Sequence, residues 1–215
     1  MAPIDPRKMT ENELHEYVAE KEGHDSQVTG VVGYFYEIYR REVIARVTGV
    51  ANRDILEIGC GEGMMFEGTS IRPVQMDVSI RRVQHAREKG QPAICGDGYH
   101  IPFADASFSL VLLIAVLEHT SEPWRVLAEA RRVLKPGGRV IIVVPNDVTM
   151  SAGRLVLGKF PIRYPDHLIF TTPGRMHKWL SKGFRIAEEF PLPFRPLPYA
   201  VNLYYFMVAE ATLEK

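Results

Sequence analysis

Asp54-Ile-Leu-Glu-Ile-Gly-Cys-Gly-Glu-Gly63 decides the reading of this chain. The apolar run Ile55–Ile58, interrupted only by Glu57, has the length and composition of a buried strand. It runs straight into glycines spaced G-x-G-x-G at Gly59, Gly61 and Gly63. Glycines at such a turn let the backbone bend tightly and approach a ligand with no side chain in the way. The dinucleotide fingerprint would place its third glycine where Met64 stands, so this spacing departs from that pattern.

Two acids occupy equivalent places further along. Asp77 closes the next apolar run, Pro73–Met76, near the offset at which an acid accepts both ribose hydroxyls of a nucleoside. The competing reading is a cap on a helix beginning at Val78 or Ser79. Gly96-Asp97-Gly98 follows the run Ala93–Cys95, where a carboxylate can take the exocyclic amine of adenine, although Asp-Gly is also a common turn. Glycine, acid and acid thus stand at three consecutive strand ends, the edge at which open parallel sheets bind ligands.

Around this segment, short apolar runs alternate with helical stretches, the signature of a parallel sheet flanked by helices. Further strands are expected at Phe108–Ile114 and Arg139–Val144, and helices at Gly63–Thr69, Ile80–Lys89 and Pro123–Leu134. Thr120 or Ser121 can cap the last helix, and Pro136-Gly137-Gly138 would stop it. Ahead of the core lie a charged helix (Thr10–Glu22), a polar break (Asp25–Gly33) and a helix (Tyr34–Val47) with Phe35, Ile38, Val43 and Val47 facing inward. Behind it come an irregular stretch, Asn146–Phe170, with the character of a lid, then a helix (Pro173–Lys182) and a strand (Phe184–Phe190). A rigid proline-rich connection leads to a final strand, Val201–Ala209.

The 215 residues suit one domain, and 26 basic residues balance 26 acidic ones. A nonspecific binder of nucleic acid would show a basic surplus or stripe, so no nucleic-acid partner is expected. Met1–Asn12 has no apolar signal core, and the strongest apolar runs, Leu110–Leu117 and Val140–Val144, are too short to span a bilayer. Cys60 and Cys95 make no disulfide framework and lie in no zinc-type spacing with histidine, so no metal site is expected, and a cytoplasmic protein is.

Ile55-Leu-Glu-Ile-Gly-Cys-Gly-Glu-Gly63, Met76-Asp77-Val-Ser79, Gly96-Asp97, Ile101-Pro-Phe103 with Phe108, Leu117-Glu-His119 and Leu134-Lys-Pro-Gly-Gly138 follow one another in order. As a set they resemble the class I S-adenosylmethionine-dependent methyltransferases, in the branch that acts on small molecules, over roughly Asn52–Asn146. The resemblance implies an α/β fold: a Rossmann-like, doubly wound, mostly parallel seven-stranded sheet with an antiparallel C-terminal strand pair and N-terminal cap helices. Residues 1–215 would form a single domain, with 1–48 as cap, 49–146 as cofactor-binding core and 147–215 as lid and strand pair. It also implies S-adenosylmethionine as cofactor, with Glu57 and the backbone of Gly59, Cys60, Gly61 and Gly63 holding its methionine end. Asp77 with Val78 would take the ribose, Gly96, Asp97 and Gly98 would adjoin the adenine, and Ala115 would floor the methionine pocket. Tyr34 or Tyr36 would close over the cofactor.

The implied reaction transfers the sulfonium methyl to an oxygen, nitrogen or carbon nucleophile and releases S-adenosylhomocysteine. His119 and His167 are the candidate bases, each with a purely structural alternative in loop packing. His15, His24, His85, His100 and His177 read as surface or structural. The other functional readings are a catalytically silent cofactor-binding subunit and a protein or nucleic-acid methyltransferase. A nicotinamide oxidoreductase is disfavoured by Met64 and the downstream motifs.

Overall fold

The computed structural model describes residues 9–21, 30–156, 158, 164 and 166–212. His24, residues 25–29 of the expected polar break, and residues 157, 159–163 and 165 of the expected lid lie outside them. The chain runs α1 (Glu11–Lys21), α2 (Gly30–Val47), β1 (Ile55–Ile58), β2 (Val74–Asp77), α3 (Ile80–Glu88), β3 (Ala93–Cys95) and β4 (Phe108–Ile114). Then follow α4 (Pro123–Val133), β5 (Leu134–Pro145), α5 (Asp147–Val156), α6 (Pro173–Leu180), β6 (Phe184–Leu192) and β7 (Tyr204–Ala211).

One seven-stranded sheet has the order β3-β2-β1-β4-β5-β7-β6. Its first five strands pair in parallel, and β7 is antiparallel to both β5 and β6. This is the Rossmann-like α/β architecture expected from the sequence. Successive residues of the central strands face opposite layers. Leu56, Val111, Leu113 and Ile142 pack under α4 and α6, whereas Ile55, Leu110, Leu112 and Ile141 pack under Tyr39, Val43 and Val47 of α2. Both faces are therefore dry, as parallel strands require. The strand order reverses between β1 and β4, and a crevice opens there at the carboxyl edge.

Several boundaries differ from the sequence reading. The helix expected at Gly63–Thr69 is a single tight turn, Met64–Phe66. Left-handed glycines at Gly63 and Gly68 (φ 77° and 72°) bracket too few residues to complete an α-helical ladder. The helix α4 is capped by neither Thr120 nor Ser121: it starts at Pro123, whose fixed φ suits the first helical position. Thr120 instead donates to the Leu117 carbonyl and Ser121 to Glu11. Nor does Pro136-Gly137-Gly138 end the helix. The step from Phe108 to Leu110 on β4 faces the step from Leu134 to Arg139 on β5, so these residues bulge out of a strand that has already begun. Ten residues of the expected irregular lid form the helix α5, whose early amides, Val148 and Thr149, donate to the Asn146 side chain.

The final strand starts three residues late, at Tyr204. Buried Asn202 explains the delay, because its carboxamide donates to the carbonyls of Phe194, Leu197 and Pro198 and accepts from the Phe194 amide. That one side chain holds the proline-rich connection in shape. At the other end of the chain, α1 begins where the sequence allows a capping box. Thr10 and Glu13 exchange side-chain and backbone hydrogen bonds at 2.8 and 3.3 Å.

Candidate functional site

The crevice is lined by Glu57, Gly59, Cys60, Gly61, Asp77, Val78, Gly96, Asp97, Gly98 and Ala115, together with His119 and His167. Ten expected cofactor positions and both candidate bases therefore share one cleft. Two expected positions do not. Tyr34 points to solvent, 67% exposed, because it lies off the α2 face that carries Tyr36 and Tyr39, and those two tyrosines line the cleft instead. Gly63 turns away from the cleft: a Cβ there would meet Gln91 and Ala86 at 2.8 and 3.2 Å, so its backbone packs against the region of α3.

The turn after β1 is fastened to β2 by its own backbone. The amides of Gly59 and Cys60 both donate to the Met76 carbonyl, at 2.7 and 3.0 Å. Asp77 then receives the Gly61 amide on Oδ2 at 2.8 Å and the Ser79 amide on Oδ1 at 2.9 Å. Ser79, not Asp77, caps α3 through the Arg82 amide. Glu57 is buried at the end of β1 and takes the Gln75 side chain on Oε2. Burial, then the Asp77 charge, pushes its carboxyl up to about 8 against the pull of Gln75. Asp97 forms a local turn, accepting the Tyr99 amide at 2.8 Å. Ala115, directly after β4, holds a left-handed φ of 54° and faces the cleft. A non-glycine residue kept in that region signals a site where the surroundings dictate the backbone.

The resemblance places α1 in the cap of residues 1–48 but names none of its side chains for the cleft. In the structure Glu11, His15 and Val18, one helical face, line the cleft, and His15 is half-buried there. Glu11 receives the Tyr99 and Ser121 hydroxyls, and Glu16 receives the Ile80 amide at the start of α3 at 2.7 Å.

Past the end of β4, the turn Leu117–His119 meets the segment that follows α5. The amides of Leu168 and Ile169 donate to the Glu118 carbonyl, at 2.8 and 3.3 Å, which stitches two remote stretches together. His119 and His167 are thereby set edge to face, with ring centres 4.8 Å apart. Each imidazole has its own carboxylate. His119 Nδ1 bonds the Asp166 main-chain carbonyl at 3.0 Å, with Oδ2 of the same residue 3.3 Å away, and His167 Nδ1 hydrogen-bonds to buried Asp147. Burial drives His119 down to about 4 despite Asp166, so at neutral pH it is an uncharged imidazole and a weak base. For His167 burial acts in the same direction, but the Asp147 hydrogen bond and the Glu118 charge outweigh it and raise the ring. Glu118 lies between them, 1% exposed and pushed up to about 8 by burial. Neither Glu118 nor Asp147 was singled out from sequence. The paired dipeptides Glu118-His119 and Asp166-His167 were the available signal.

Among the described residues no helix is long and apolar enough to cross a membrane. Residues 56–142 match the methyltransferase domain family. A probable S-adenosylmethionine-dependent methyltransferase of Mycolicibacterium smegmatis is 32% identical over 59% of this chain and 52% of its own length. The demethylmenaquinone methyltransferase of Renibacterium salmoninarum is 29% identical over 58% of this chain and 55% of its own length. The chain spans between about half and three-fifths of the length of the first curated relatives it matches (62%, 52% and 51%). In fold it is similar to a Thermotoga maritima S-adenosylmethionine-dependent methyltransferase, described as a possible histamine N-methyltransferase. The TM-score is 0.70 at 20% identity, covering 92% of this chain and 99% of that one. With the glycine turn and both acids gathered at the switch point of such a sheet, residues 56–142 carry the match to the methyltransferase domain family, and the fold is the Rossmann-like one seen in S-adenosylmethionine-dependent methyltransferases.

Proposed function

We propose that the chain transfers the methyl group of S-adenosylmethionine to a small-molecule acceptor and releases S-adenosylhomocysteine, acting as one domain in the cytoplasm. The observation that carries this reading is the composition of the cleft. Beyond the strand-end glycines and acids it is walled by Tyr36, Tyr39, Tyr204 and Met150, with Tyr39 and Tyr204 edge to face at 4.8 Å. Such a wall suits a compact apolar or aromatic acceptor. The relative named for demethylmenaquinone points the same way.

In this reading Glu57 faces the cofactor's ammonium, Asp77 its ribose and Asp97 its adenine, while Ala115 leaves the methyl group room to face the acceptor. The acceptor's nucleophilic electron pair forms the new bond to the methyl carbon as the carbon–sulfur bond breaks, that bond's electron pair stays on sulfur, and the proton the acceptor gives up passes to a base lining the cleft or to water. The leaving group is already activated by its positive charge. Alignment and exclusion of water are therefore the protein's main contributions. Turnover assays with the full chain, reading S-adenosylhomocysteine across quinols, phenols, aliphatic alcohols and amines, test the proposal. Product with at least one small acceptor is expected. Turnover with RNA or protein alone overturns it.

A further inference from the structure

We infer that Glu118, His119 and His167 bind a divalent transition-metal cation of the zinc, iron or cobalt type beside the methyl-transfer cleft. Each of the three offers one ligand atom, and these atoms all lie within 4.8 Å of one another. Ligand atoms around a tetrahedral or octahedral ion sit ~3–3.5 Å apart, since metal–nitrogen and metal–oxygen bonds are ~2.0–2.2 Å. Small side-chain rotations therefore close the set around one ion.

Three features point to a cation and not to a hydrogen-bonded cluster. First, Glu118 Oε2 is buried and has no hydrogen-bond partner among the described residues. A buried carboxyl oxygen without a partner is costly, and a bound cation would satisfy it. Second, both histidines have Nδ1 held by an oxygen acceptor, His119 by the Asp166 main-chain carbonyl with its carboxylate nearby and His167 by the Asp147 carboxylate. That is the outer-shell arrangement that orients metal-bound imidazoles and raises their basicity. Third, the backbone hydrogen bonds from Leu168 and Ile169 to the Glu118 carbonyl fix the two contributing segments together before any ion arrives. Two imidazoles with one carboxylate favour borderline cations over magnesium or calcium, which prefer all-oxygen cages. Three protein ligands leave at least one position for a further ligand, and all three residues line the cleft.

The test uses the full chain, stripped with chelator and dialysed against Zn²⁺ or Co²⁺, with metal content read by mass spectrometry and the cobalt d–d bands by absorption. One equivalent per chain is expected, with a visible spectrum of four- or five-coordinate cobalt. Glu118→Gln and His167→Gln should each weaken binding at least 100-fold. Asp147→Asn, which touches only the outer carboxylate, should weaken it ~10–100-fold. A thermal shift with S-adenosylhomocysteine confirms that each variant is folded and separates this inference from the proposed function. Failure of the stripped, unsubstituted protein to take up stoichiometric metal overturns the inference and leaves a buried acid–base cluster. Uptake that Glu118→Gln leaves unchanged in a folded protein also overturns it.

Discussion

Gly61 donates its amide to Oδ2 of Asp77 across 2.8 Å, so the acid that ends β2 also holds the glycine turn that ends β1. The geometry of both turns thus depends on one carboxylate, whose other oxygen accepts the Ser79 amide, and the proposed ribose contact would fall on the same group.

Asp77→Ala is accordingly expected to act twice. Cofactor affinity should fall at least about tenfold, since a hydrogen bond to a charged group contributes ~1.5–3 kcal/mol. Stability should also fall by ~1–2 kcal/mol, because the Gly61 and Ser79 amides lose their acceptor. Calorimetric titration with S-adenosylhomocysteine and a urea melt measure the two effects. A folded variant with native affinity would remove Asp77 from the binding site.

Glu57 predicts a pH dependence. Its carboxyl is shifted from an ordinary 4.5 to about 8 by burial. Between those values the folded chain keeps a proton that the unfolded chain releases, so this contribution to stability declines as pH rises through about 8. A cofactor ammonium placed beside Glu57 favours the ionised form. Binding at pH 7 should then release a proton, and affinity should rise from pH 6 to 8. Titrations in two buffers of different ionisation enthalpy measure the release, which Glu57→Gln should abolish. Identical enthalpies in both buffers would contradict the placement.

Two glycines in the same turn should behave differently. A Cβ at Gly59 would sit 2.6 Å from Val116 Cγ2 on a backbone with φ +70°, so Gly59→Ala should destabilise the fold by about 2 kcal/mol or more. A Cβ at Gly61 meets nothing within 4 Å. Its backbone, at φ +55°, makes Gly61→Ala cost only ~1–2 kcal/mol of stability. The added methyl enters the cleft, however, and cofactor affinity should drop. Equal melting temperatures for the two variants would refute the distinction.

The cysteines should separate by reactivity. Cys60 is buried and its thiol is pushed far up by desolvation, whereas Cys95 is exposed and only modestly raised. Strand β2 lies between the strands that carry them, which sets their backbones ~9–10 Å apart, two spacings of ~4.8 Å. A disulfide needs alpha carbons within ~7 Å. Native alkylation followed by mass spectrometry should label Cys95 and spare Cys60. A Cys60–Cys95 bond would contradict the strand order.

The sheet was legible because strand ends carry their own marks: Gly59, Asp77 and Asp97 each follow a short apolar run. Local patterning failed where a distant partner decides the outcome. Asn146 starts α5 and Asn202 delays β7 through hydrogen bonds that no periodicity records. The cofactor end of the cleft comes from contiguous motifs, so it could be read. The Glu118–His119–His167 cluster joins segments 48 residues apart, through backbone bonds to Glu118. Tyr34 was misassigned for a simpler reason: two neighbouring tyrosines competed for one helix face, and helical phase favours Tyr36 with Tyr39 and Val43.

The fastening of α1 has a kinetic consequence. Glu11 and Glu16 anchor this helix to the Tyr99–Ser121 rim and to the Ile80 amide, where the α3 dipole adds its attraction for a carboxylate. Since Glu11, His15 and Val18 of this helix line the cleft, release of those acidic clasps is expected to quicken the exchange of spent for fresh nucleoside. Residence time would then depend on how firmly this helix is clasped as well as on the contacts made at the strand ends. Salt that weakens the clasps would quicken exchange.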